Sequence, residues 1–185
     1  MKKFGKMALA VAAVSALVSL QSTGPASAAE ATIDVPLEVA YIDHAVAEAH
    51  GFTVIEGDDG VEVSVPQTEA AKALVGRQSR HTVVGNCGSA TLNMSRVGGA
   101  SKVMVTTGFK VRLPTIYHTW NVDLKRGGAA WGVPLSGGPT SGAWATSRIV
   151  NTGNNQSVHG LVRGGSHTLL VDGSVCFAGG PNSWT

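Results

Sequence analysis

Ile116-Tyr117-His118-Thr119-Trp120-Asn121-Val122-Asp123-Leu124 is the stretch that decides the fold. Ile116, His118, Trp120, Val122 and Leu124 alternate with Tyr117, Thr119, Asn121 and Asp123. A period of two lets an extended chain bury one face, and a helix cannot use it. Working outward, the same character recurs in short runs. Candidate strands cover 90–95, 102–107, 109–112, 116–124, 143–150, 158–162, 168–171 and 175–178. Val171-Asp172-Gly173-Ser174-Val175 sets a tight-turn dipeptide between apolar residues. Many short strands, frequent turn residues and no long helical pattern predict a mainly β body over residues 81–185, an antiparallel β-sandwich or barrel.

Residues 29–80 read differently. Pro36 suits a first helical turn, Val39, Ile42, Val46 and Ala49 follow at helical spacing, and Gly51 stands where such a helix would close. Phe52-Thr53-Val54-Ile55 and Val61-Glu62-Val63-Ser64-Val65 flank Gly57-Asp58-Asp59-Gly60, a hairpin signal. A second short helix is expected from Pro66 to Val75, closed by Gly76. The expectation is a helix–hairpin–helix segment, too small for a core of its own and so packed on the β-body.

Charge divides at the same place. Every carboxylate except Asp123 and Asp172 lies between Glu30 and Glu69, and from Arg77 onward the cations dominate. The acidic segment reads as a cover over the β-body. Arg77-Gln78-Ser79-Arg80 marks the boundary, either a solvated linker or the point where an acidic pro-segment is released.

The N-terminus reads as an export signal. Lys2, Lys3 and Lys6 precede the apolar run from Met7 to Leu20, and Ala26-Ser27-Ala28 is a small-residue cleavage site. A signal peptide over 1–28 is therefore expected, cut between Ala28 and Ala29. The product is expected to be secreted and extracellular, with no membrane span left. The formal charge of +2 rests on those three lysines, so it does not point to nucleic acid. In an oxidising compartment Cys87 and Cys176 are expected to pair as a structural disulfide.

Several motifs occur together: the signal peptide, the acidic segment, Gly85-Asn86-Cys87-Gly88-Ser89, Thr119-Trp120-Asn121-Val122, Ser141-Gly142-Ala143-Trp144 and Val175-Cys176-Phe177-Ala178-Gly179-Gly180-Pro181. In these the chain resembles uncharacterised small secreted actinobacterial proteins. The resemblance implies a secreted, one-disulfide β-domain and brings no catalytic residues with it.

No reaction centre emerges from the residues. Ser136-Gly137-Gly138-Pro139 echoes the nucleophile loop of trypsin-like proteases, but no base and orienting acid accompany it. His81, His118, His159 and His167 lack the close spacing of metal ligands. Asp123 and Asp172 are the only carboxylates of the body, and a glycosidase would need both in one cleft. No catalytic residue, metal or cofactor is assigned. Trp120 and Trp144, inside strand signals, are expected in the core. Trp131 and Trp184, in Gly/Pro-rich stretches, are expected nearer the surface, as candidate ligand-binding residues. The reading is a non-enzymatic β-domain protein that binds an extracellular glycan, a cell-wall polymer or a protein. Dispersed cations with few aromatics argue against nucleic acid. The alternatives are a secreted hydrolase using His118 or His159 with Asp123 or Asp172, and a precursor whose acidic segment is removed.

Overall fold

The computed structural model describes residues 33–77, 87–98 and 101–185. The expected signal peptide, its cleavage point at Ala28 and Ala29, and the boundary residues after Arg77 lie outside these. The described chain is mainly β and antiparallel. In order it forms β1 (Ile33–Ile42), α1 (His44–Ala49), β2 (Phe52–Glu56), β3 (Glu62–Pro66), α2 (Glu69–Gly76), β4 (Gly88–Arg96), β5 (Lys102–Val111), β6 (Thr115–Thr119), β7 (Asn121–Arg126), β8 (Ala129–Pro134), β9 (Ala143–Asn151), β10 (His159–Val162), β11 (His167–Leu170), β12 (Ser174–Ala178) and β13 (Asn182–Trp184).

Seven strands make one sheet in the order β6-β11-β12-β1-β4-β5-β9, which curls as a half-barrel. Four make a second in the order β13-β10-β7-β8, and β2-β3 is a separate hairpin. Met94 of β4 reaches the second sheet at Gly160 of β10, where any side chain would collide with the Met94 sulfur. The interior there is filled by Trp120, Val122, Leu124 and Val162 together with Leu92, Val103 and Val105.

The helix expected from Pro36 is corrected: its first half is β1, and the helix begins only at His44. Val35, Leu37 and Val39 point inward while Asp34, Pro36, Glu38 and Ala40 are exposed. That alternation has the period of a strand, and the three- and four-residue spacing of Val39, Ile42 and Val46 masked it. Pro36 is tolerated because the ladder to β12 stops at Leu37, opposite Ala178, so a missing N–H costs nothing at that edge. Asp43 then caps α1 by accepting from the Val46 N–H at 3.1 Å, and Thr68 caps α2 by accepting from the Ala71 N–H at 3.2 Å. The hairpin forms as expected, with Phe52 opposite Pro66 and Glu56 opposite Glu62.

β1 is an interior strand. It pairs with β4 through Ile33–Leu37 and with β12 through Leu37–Ile42. The acidic stretch thus contributes a strand to the middle of the sheet. In the body, 102–107 and 109–112 join as the single strand β5. The run 116–124 divides at Trp120, where β6 and β7 enter different sheets. β8 and β13 lie in stretches read as loops.

Candidate functional site

β1 keeps its β12 partner to Ile42 but has no β4 partner beyond Leu37. Its last residues therefore carry one open edge. Across from that edge stands β3. A cavity of about 630 Å³ lies between them, closed by Phe52, Val75 and Leu113. Val39, Ala40, Tyr41 and Ile42 border it in unbroken succession, and so do Val61, Glu62, Val63 and Ser64. The β1–β12 register shifts between Val39 and Tyr41, and the last residues of β1 border the cavity where they have no β4 partner. The groove is a gap between β1 and β3.

The groove is apolar around a polar floor. Tyr41, Val61, Val63 and Val75 leave much of their surface to solvent. Beneath them Arg112, just after β5, donates through Nη2 to Asp172 Oδ2 at 2.7 Å and to Ser174 Oγ at 2.6 Å. Asp172 also accepts from the Ser174 N–H at 3.0 Å, and its carboxylate is almost wholly buried. The turn that carries Asp172 closes through Gly173, at φ +82°, whose N–H donates to the Leu170 carbonyl. Arg112 Nε is buried without a hydrogen-bond partner among the described residues. Arg112 keeps 25% of its side chain exposed at the groove floor, while Nε itself is sealed from solvent.

The expected disulfide is present, Cys87 to Cys176, with Cα atoms 6.0 Å apart. Trp120 is fully buried and donates through Nε1 to Thr107 Oγ1 at 3.0 Å. Trp144 packs half-buried against the core. Trp131 and Trp184 are not brought together. They sit on the two edge strands of the four-stranded sheet, β8 and β13. Trp184 aligns with His159 and Lys125, whereas Trp131 aligns with Leu124 of the interior. The two rings therefore face opposite sides. Trp131 is half-buried under the Arg126 guanidinium, 5.3 Å from the ring centre. Trp184 is 60% exposed and stacks on His159 with ring centres 4.2 Å apart.

None of the His–Asp pairings considered for a hydrolase is formed. Asp172 belongs to Arg112. Asp123 takes three hydrogen bonds from Arg163, whose pKa it raises by accepting them and by its charge. His118 lies in an aromatic nest, with Phe109 at 5.2 Å and Trp144 at 4.4 Å between ring centres. Burial lowers its pKa. Backbone groups of Gly138 and Leu135 pull the other way more weakly, and neither meets a ring nitrogen in hydrogen-bond geometry. In the Ser136-Gly137-Gly138-Pro139 loop, the close approach to His118 requires the first glycine. Gly137 exchanges backbone hydrogen bonds with His118 and lies so close that a Cβ would stand 2.8 Å from the imidazole. Ser136 Oγ accepts from the Trp120 N–H at 3.0 Å. Among the described residues no three His, Cys, Asp or Glu side chains gather as a metal site, and no helix is long and apolar enough to cross a membrane.

Arg112 and the groove escaped the sequence reading. Arg112 lies 60 residues from Asp172, and no local spacing announces the pair. Compared with protein-family models, curated proteins and solved structures, the chain matches none.

Proposed function

We propose that this is a secreted, non-enzymatic binding protein whose groove captures an extended apolar segment of a partner protein by strand addition. One observation carries the proposal: Val39–Ile42 of β1, which have no β4 partner, and Val61–Ser64 at the start of β3 line one gap of about 630 Å³. A guest strand in the gap pairs its main chain with an open edge. Its alternate side chains meet Tyr41, Val63 and Val75, and a carbonyl reaches Arg112. The disulfide is consistent with an oxidising compartment. The N-terminal signal pattern and the resemblance to small secreted actinobacterial proteins support export. The two sheets are read as one sandwich-like body.

Panning a random nonapeptide library against the folded chain tests the function. Enriched sequences should alternate apolar residues and protect the β1 amides from hydrogen exchange. Val63→Asp, at an exposed wall position, should leave the fold intact and abolish capture. Enriched peptides that bind Val63→Asp equally well would remove the groove as the site.

A further inference from the structure

The groove leaves one unusual surface unused. β13 is only three residues long, yet it is firmly held. The Thr185 N–H donates to the Val158 carbonyl, Thr185 Oγ1 accepts from the Val158 N–H, and Ser157 Oγ donates to the Thr185 carbonyl. The Val162 N–H donates to the Pro181 carbonyl at its other end. This network holds the backbone that carries Trp184, and the His159 ring packs against its indole. That indole nevertheless spends most of its surface on water. A large aromatic ring both immobilised and exposed has already lost the freedom that binding would otherwise cost it.

Trp184, His159 and Lys125 form one outward row across three neighbouring strands. At the usual strand separation the row spans roughly 10 Å. The next outward row holds Asn182, Leu161 and Asp123, and Arg163 covers Asp123. With Asp123 neutralised by Arg163, Lys125 leaves the face with an excess positive charge. It makes no ion pair among the described residues.

We propose that this row is a saccharide site for a polymer bearing carboxylates, such as a polyuronate. A sugar ring lays its C–H face on the Trp184 indole, Asn182 meets hydroxyls, and Lys125 receives a carboxylate. The neutralised Asp123 spares the anionic polymer the repulsion a bare carboxylate would impose. This site is separate from the groove, and its test does not depend on the groove's ligand.

Affinity electrophoresis of the full chain through gels containing alginate, with neutral dextran gels as reference, decides it. Retardation is expected in alginate and not in dextran, and it should weaken as salt rises. Trp184→Ala should lose retardation at least tenfold in apparent affinity. Lys125→Glu should weaken it, and Lys110→Glu, on the other sheet, should leave it unchanged. Absence of retardation at low salt would overturn the proposal. So would retardation that survives Trp184→Ala but falls equally with Lys125→Glu and Lys110→Glu, since that is ion exchange by the whole surface. Trp184 lies on the surface, so circular dichroism should show the variant folded; if it unfolds, Trp184→Phe supplies the comparison with a smaller ring.

Discussion

Cys87 and Cys176 are joined across β1: Cys87 leads into β4 on one side, and Cys176 belongs to β12 on the other. The covalent strap thus closes over a strand that comes from the acidic segment. Val39, opposite Cys176, and Leu37, whose carbonyl accepts from the Cys87 N–H, are the residues beneath it.

This arrangement bears on whether the acidic segment is disposable. A chain beginning at His81 keeps both cysteines but lacks β1, and its sheet would carry a missing strand between β12 and β4. Such a chain should show neither a cooperative thermal transition nor dispersed amide signals, whereas one beginning at Ala29 should show both. A well-folded 81–185 chain would restore the acidic segment as a releasable pro-segment. Replacing both cysteines with Ala in the longer chain should lower stability by about 4–5 kcal/mol, from the unfolded-state freedom of a loop closed over 89 residues. Urea unfolding measures it.

The Arg112–Asp172 and Arg163–Asp123 ion pairs should answer very differently to mutation. Asp172 is almost wholly buried beside the partly buried Arg112, while Arg163 is 53% and Asp123 28% exposed. Asp172→Ala strands a guanidinium in the groove floor, with Ser174 as its remaining side-chain partner, and should cost about 3–5 kcal/mol. Asp123→Ala leaves Arg163 to water and should move the urea midpoint little. Equal effects would mean that the Arg112 pair is solvated.

How far the chain was legible follows the range of each signal. The β2–β3 hairpin and the Asp172-Gly173 turn were readable because turn chemistry lies within a few residues. Most strands of the body, β8 and β13 excepted, were readable from short apolar runs and their alternation. β1 was misread because Pro36 and a coincidental helical spacing favour a helix locally, while the decision belongs to β4 and β12, far along the chain. Trp120 was placed correctly by its strand face. Trp131 was not fully legible, because the short strand β8 that turns it inward lacks a clear apolar period. The groove depends on where β4 stops pairing with β1, and composition says nothing of that.

Gly173 should be the least replaceable glycine of the Asp172 turn. Its φ of +82° disfavours any Cβ, and one placed there would stand 2.4 Å from the Asp43 carbonyl oxygen. Gly127, at φ +54°, has nothing within 4 Å of such a Cβ. Gly127→Ala should cost about 1 kcal/mol from backbone conformation alone. Gly173→Ala should cost more, because the carbonyl caps the junction of β1 and α1 and cannot swing aside. Thermal midpoints of the two variants give the order, and a Gly173→Ala no worse than Gly127→Ala would show that the junction yields.

His118 should make stability fall on mild acidification. His118 is 2% exposed, and neither ring nitrogen has a hydrogen-bond partner among the described residues. Phe109, Trp144 and the Ser136–Pro139 loop pack on it without offering a carboxylate. The charged side chain on the β9 face that carries Trp144 is Arg148, which donates to the Pro134 carbonyl and would repel an imidazolium. The lowered folded pKa fixes the sign. An unfolded chain takes up the proton near pH 6.5, while the folded chain resists until a lower pH. Between those values the unfolded state binds more protons, so stability is complete above pH 6.5 and is lost as pH falls through 6.5 toward the folded pKa. Urea midpoints measured from pH 7.5 down to about pH 5.5, above the carboxylate range, should decline in the native sequence. They should stay level in His118→Leu, which removes the titrating group from the same nest. Parallel declines in the two proteins would assign the acid sensitivity to other groups and leave His118 as aromatic packing alone.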